Sequence, residues 1–327
     1  MNARDRILTA IHHDPVDHFP TDFWATPEVW EKLFQYFSTT DRMEVYNYLG
    51  IDGIIAISPE YIGPELLVEN SIRYNEWGMG FKEQKYASGK YEEQVIYPLA
   101  EAETIDDLEA FPWPSPDWYD YSSIYEKVVQ FPDRAIEVGY TAVFYYHNLL
   151  RGLARSLMDV IEKPDFTAHL IKHISDFFTE YHRHCFDAGQ GKIDITQVTD
   201  DFGAQTGLLI SPRVFESFYA ESIQRAINLA KNYGITIFHH DDGDCRKILS
   251  RLVHMGVQVL NPIQWRCGGW DLNDIHAKYS KYLCFHGGVD NQQTLPFGSV
   301  DDVRNEVRWL VATLGKNRTG CRSKGRH

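Results

Sequence analysis

Residues 235–265 read ITIFHHDDGDCRKILSRLVHMGVQVLNPIQW, an apolar run, a polar tip, a helical segment, a second apolar run and a second polar tip. Residues 235–238 are short, apolar and partly β-branched, as in a buried strand. His239, His240, Asp241, Asp242 and Gly243 end it. Ile248, Leu249, Leu252 and Val253 then recur at helical spacing on one face, and Gly256 fits the left-handed position just past a helix end. Residues 257–260 form the next strand, closed by Asn261 and Gln264. A chain built from this unit belongs to the parallel α/β class, where residues just past the strand ends face the site.

The same unit recurs. Strands are predicted at residues 19–24, 54–57, 135–146, 193–198 and 282–285, making seven with the two above. Helices are predicted near 4–13, 27–38, 41–49 and 165–187, from Arg151 to before Pro164, after Ser211 and Pro212, and from Ser299 to Leu314. The fold class is therefore α/β, a (β/α)8 TIM barrel lacking a regular eighth strand. Residues 1–315 make one barrel domain, with an irregular excursion at about 62–134 that carries Trp77, Trp113 and Trp118 and packs on the barrel. Residues 316–327 are a basic tail with Lys316, Arg318, Arg322, Lys324, Arg326 and Cys321 and no apolar pattern. The expectation is a chain truncated or altered in reading frame after Gly315, an irregular exposed tail, and a seam between the first and seventh strands.

With 327 residues, 43% of them hydrophobic, the chain can fill one barrel-sized core. A formal net charge of −14 argues against nucleic acid and anionic membrane surfaces as partners. The five cysteines form no CxxC pair, which points to a reducing, cytoplasmic setting without a disulfide framework. The opening MNARDRILTAIHH is charged and amphipathic, unlike a signal peptide. No stretch is long and apolar enough to span a bilayer.

Polar residues collect at the strand ends: Asp22 and Trp24, His147, Asp200 and Asp201, His240 and Asp242, Asn261 and Gln264, and His286. An imidazole and a carboxylate two residues apart, His240 and Asp242, can converge on one metal ion or one proton. Asp242 and Asp244 also precede a helix, where carboxylates cap N–H groups. His239, Asp241 and Asp244 read as structural. Of the adjacent pair Asp200 and Asp201, alternation puts only one inward, and the other caps the turn at Gly203. No glycine-rich phosphate loop and no GxSxG elbow occurs, so neither a nucleotide nor a serine nucleophile is indicated.

The segments RDRILTAIHHDPVDHFPTDFWATPE, IDGIIAISPEYIGP, DDFGAQTGLLISP, FHHDDG, VQVLNPIQW and FHGGVDNQQTLPFG resemble the uroporphyrinogen decarboxylase superfamily, in order, from about residue 3 to 315. The resemblance implies a (β/α)8 barrel. One branch of that superfamily decarboxylates a tetrapyrrole without a cofactor, using arginines of an early MRQAGR-type motif, a central aspartate and a tyrosine. Residues 17–40 lack that arginine motif; the aspartate would fall near Asp52 and the tyrosine at His147 or Asn148. The other branch moves a methyl group from a methylcobamide protein to a thiol held by zinc. Its H-x-C-G motif has the spacing of His240-Asp241-Asp242-Gly243, with aspartate for cysteine.

The sequence thus reads nearer the methyltransferase branch. His240 and Asp242 would hold a divalent metal, zinc by analogy. Asp201, His147 and Asp52 are the catalytic candidates; Asp22, Trp24, Asn261, Gln264 and His286 would bind a small-molecule substrate, with a corrinoid carried by a partner protein. The alternatives are a uroporphyrinogen decarboxylase and a non-catalytic corrinoid- or tetrapyrrole-binding barrel.

Overall fold

The computed structural model describes residues 1–86 and 89–316. Six parallel strands lie side by side in chain order: β1 Ile54–Ile57, β2 Ala135–Thr141, β3 Ile195–Val198, β4 Thr236–His240, β5 Val259–Asn261 and β6 Cys284–Phe285. Helices Pro164–Ala188, Ala220–Asn232, Arg246–Met255 and Leu272–Tyr279 join successive strands from β2 to β6, and Val300–Leu314 follows β6. Each lays its apolar stripe on the outer face of the sheet, as parallel strands require. No helix among the described residues is long and apolar enough to cross a membrane.

Alternation along the strands sorts the interior into two levels. At the lower level Ala135, Ile195, Phe238 and Val259 are buried together, with Ile54 and Cys284 against them. Helix Ala3–Ile11 plugs this end by adding Ile7 and Ile11. The next inward positions up are polar: Glu137, Gln197, His240, Asn261 and His286. The interior is therefore an apolar floor beneath a polar mouth at the C-terminal strand ends, and a cavity of about 290 Å³ opens beside Ile7, Ile11, Phe238 and Val259, between residues 19–22 and β6.

These six strands are the second to seventh of the sequence expectation. The segment predicted as the first strand, residues 19–24, runs beside β1 without forming a ladder. One backbone bond joins them, Gly53 N to Thr21 O at 3.0 Å, and side chains take the bonds on either side of it. Thr21 N donates to Asp52 Oδ2 at 2.9 Å and Ile54 N donates to Asp22 Oδ1 at 3.1 Å. Pro20 has no N–H to offer. The predicted third strand ends at Thr141 rather than Tyr146, because helix Val143–Arg151 starts at once. The expected absence of an eighth strand and the tail concern residues 316–327; Lys316 is an exposed turn residue, and 317–327 lie outside the described residues.

The excursion is more regular than expected. It holds a four-stranded antiparallel sheet, Val68–Glu69, Ile72–Tyr74, Gly80–Tyr86 and Gly89–Ile96. Asn70 and Ser71 adopt φ of 52° and 62°, the paired left-handed turn that suits a two-residue hairpin. Trp77, Met79, Leu99, Leu108 and Ile124 from this region enter the main core, so it packs on the barrel.

Candidate functional site

The site sits on the tips of β4 and β5. His240 is the last residue of β4, and its ring points inward beneath the exposed indole of Trp24, 5.9 Å between centroids. Asn261 ends β5 beside it. Asn261 Oδ1 lies 2.6 Å from His240 Nδ1, and Asn261 Nδ2 lies 2.7 Å from His286 Nδ1. His286 Nε2 in turn lies 3.1 Å from Asp22 Oδ2. One donor direction satisfies the whole chain. His240 Nδ1–H donates to the amide oxygen, the amide N–H donates to His286 Nδ1, and His286 Nε2–H donates to Asp22. Burial raises the Asp22 carboxyl, but His286 and the N–H groups of Ile54 and Phe23 outweigh it and hold it below the usual carboxylate range.

His240 Nε2 is the ring nitrogen that this chain leaves unengaged. It faces Asp201 Oδ1 at 3.8 Å and Asp242 Oδ1 at 3.9 Å. These three acceptors lie within 4.8 Å of one another. Second contacts orient the carboxylates. Asp201 Oδ1 accepts from Asp242 N at 3.1 Å, and Asp242 Oδ1 accepts from Gln264 Nε2 at 2.7 Å. Gln264 Oε1 accepts from Gly243 N at 2.7 Å. Gly243 has φ +86° and packs against the backbone of Gly203 and Ala204, where a Cβ would meet atoms at 2.6 Å. Burial, with the charge of Asp201, raises the Asp242 carboxyl.

An imidazole nitrogen and two carboxylate oxygens facing one point offer the ligand atoms that a divalent cation takes. One imidazole with two carboxylate oxygens suits zinc and harder divalent ions alike.

The neighbours are structural supports. His239 Nδ1 donates to Val198 O at 2.7 Å. Asp241, rather than Asp200, holds the turn by accepting from Gly203 N at 2.8 Å. Asp200 accepts from Tyr145 N at 2.8 Å and so caps helix Val143–Arg151; burial holds its carboxyl well above the usual range. Asp244 is paired with Arg246 at 2.7 Å.

The family model described as Uroporphyrinogen decarboxylase (URO-D) matches residues 141–321. The chain belongs to the uroporphyrinogen decarboxylase family. Among solved structures it is similar to a methyltransferase from Methanosarcina mazei, with 17% identity and a TM-score of 0.63, over 96% of this chain and 90% of that chain. At that identity the likeness speaks for the fold, the α/β barrel of the family. No curated protein matches the chain.

Of the candidates read from the sequence, Asp201, His240, Asp242, Asn261, Gln264, His286, Asp22 and Trp24 come together at this mouth. Two do not. His147 lies inside helix Val143–Arg151, fully buried, with Nδ1 2.9 Å from the Tyr219 hydroxyl. Burial, aided by Arg151, pushes it down to about 3, so it is neutral near pH 7. Asp52 precedes β1 at the opposite end of the sheet from His240. Its carboxylate is buried and paired with Arg6.

Three groups at or below the mouth escaped the sequence reading. Glu137 of β2 accepts from Gln197 Nε2 at 2.9 Å, and burial pushes it up to about 7. Strand alternation could have found it, since it lies two residues past Ala135 on the inward face. Tyr140 lies level with Gln197 because the register shifts between Glu137 and Tyr140, where Gly139 takes φ +91°. Nothing in the sequence marks that bulge beyond one glycine. Cys267 Sγ donates to Gln205 Oε1 at 3.5 Å and Gln264 Oε1 at 3.6 Å; burial and then Asp242 raise it, keeping a thiol.

Proposed function

We propose that the chain is a metal-dependent, methyltransferase-like enzyme of the uroporphyrinogen decarboxylase superfamily. It would act on a small methylated substrate or with a methylcobamide carried by a partner protein. The observation that supports this is the convergence of His240 Nε2 with the Asp201 and Asp242 carboxylates, all within 4.8 Å.

His240, Asp201 and Asp242 would hold a divalent ion, zinc by analogy with the family's thiol-binding branch. Such an ion acts as a Lewis acid that favours the deprotonated form of a thiol or hydroxyl. The remaining work falls to the chain. Asn261 and His286 fix the tautomer of His240, and Gln264 aims Asp242 Oδ1. Trp24 lies against the rings of His240, His286 and Phe238 and would exclude water from that side of the imidazoles. Glu137 can hold or release a proton near neutral pH within the lumen. The decarboxylase reading keeps the support of the family description alone; the carboxylates at the mouth oppose a polycarboxylate substrate.

Metal analysis of the purified protein tests the proposal. His240→Ala, Asp242→Ala and Asp201→Ala should each remove one equivalent of divalent ion. Asp244→Ala should retain it, because that carboxylate is engaged by Arg246. Wild-type protein that binds no ion lost on these substitutions would end the metal-dependent reading.

A further inference from the structure

The long helix Pro164–Ala188 carries His169 and His173, four residues apart and so on one face. Opposite them stands Glu109, the last residue of the short helix Ile105–Glu109, whose start is fixed by a capping box between Thr104 and Asp107. Glu109 Oε1 contacts His169 Nε2 and lies 3.4 Å from His173 Nε2. All three donor atoms fall within 4.8 Å of one another. Ligands bound at about 2.0–2.1 Å in a tetrahedral shell lie roughly 3.4 Å apart. One pair already has that spacing, and the closer pair needs only to open.

Both sides of the cluster are held in advance. Trp113 stacks flat on the His173 ring, with centroids 4.6 Å apart and 1° between planes. Trp113 Nε1 also donates to Leu108 O at 2.8 Å, which ties the stack to the helix that carries Glu109. The imidazoles remain 33% and 29% exposed, so an ion can enter from water and keep a water as its fourth ligand.

We propose that Glu109, His169 and His173 form a second divalent-metal site, separate from the barrel mouth, that clamps the excursion onto the long helix. Two imidazoles and one carboxylate select zinc, with cobalt, nickel or copper as substitutes, and disfavour magnesium and calcium. No covalent step is involved. A bound ion replaces the direct contacts of Glu109 with the two rings.

The test uses full-length protein carrying His240→Ala and Asp242→Ala, so that the mouth contributes no ion. Zinc titration should show one saturable equivalent, and magnesium should not compete. Copper(II) should quench tryptophan fluorescence in a component that Trp113→Phe lacks, and zinc should protect against the quenching. Adding His169→Ala and His173→Ala should abolish both signals. Glu109→Gln and His173→Gln, which keep side-chain volume, should each weaken zinc binding at least about tenfold. Absence of any saturable zinc in the mouth-deficient protein overturns the proposal. So does zinc binding that survives loss of both histidines, or is unchanged in the two glutamine variants.

Discussion

Asn261 Oδ1 sits 2.6 Å from His240 Nδ1, and an amide oxygen can only accept, so the imidazole proton is fixed on the side away from Asp201 and Asp242. Outer contacts of this kind set the tautomer of a ligating histidine. Asn261→Leu should therefore lower divalent-ion affinity at the mouth by about ten- to a hundredfold while every first ligand remains. A competition titration against a chelating dye measures it. Unchanged affinity would mean that the relay through Asn261 does not govern His240.

Asp52 offers the opposite outcome. Its carboxylate and the Arg6 guanidinium form a buried pair at the floor end of the barrel, and Arg6 also holds Asp17 Oδ1 at 2.6 Å. Asp52→Asn should cost about 3 kcal/mol of stability, at the low end for a broken buried pair because Asp17 still serves Arg6. Ion binding at the mouth should not change. Urea unfolding and metal content, measured together, check both halves; lost metal with stability intact would place Asp52 at the site instead.

Glu137 predicts a pH dependence. Burial raises its carboxyl from 4.5 to about 7 in the folded chain. Between these values the folded chain binds more protons than the unfolded one, so this group's contribution makes stability fall as pH rises from about 4.5 to 7 and level off above. The full effect is up to roughly 3 kcal/mol. Glu137→Gln should remove it, so the variant gains on wild type between about pH 5 and pH 8 in paired urea titrations. Parallel curves for the two proteins would show that the carboxyl titrates normally.

Uroporphyrinogen III should not be decarboxylated at an enzymatic rate. Its many carboxylates would meet Asp201, Asp242 and a chain of net charge −14, with no arginine in residues 17–40. Chromatography of the porphyrin products after incubation and oxidation decides it. Coproporphyrinogen formed at an ordinary enzymatic rate would promote the decarboxylase reading.

The α/β rhythm was legible because short apolar runs, Gly256 and the Ser299 cap are local features. Ser299 Oγ does accept from Asp302 N at 3.2 Å, within a capping box. The grouping of His240, Asp242, Asn261 and Gln264 followed from placing each at a strand tip. What failed depended on distant partners. The apolar run through Tyr146 looks continuous and suggests a tip position for His147, yet Asp200, from another strand end, caps the helix that takes His147 inward. The segment at residues 19–24 departs from a strand for the same kind of reason, since beyond the single Gly53 N to Thr21 O bond it is Asp52 and Asp22 side-chain oxygens that accept from Thr21 N and Ile54 N. The hairpin at Asn70 and Ser71 is the reverse case, a local turn hidden by its polar surroundings.

Asp22 receives Ile54 N on one oxygen, and His286 Nε2 and Trp24 Nε1 on the other. It thus staples the segment beside β1 to the tip of β6, the two margins of the sheet, and it is also the terminus of the relay that orients His240. The bridge across these margins and the orientation of the imidazole therefore share the Asp22–His286 contact. A ligand that requires His240 Nε2 bare draws on the same hydrogen bonds that hold the margins together, so occupancy of the mouth should stiffen the barrel along its seam, and loosening the seam should be felt as weaker binding at the mouth.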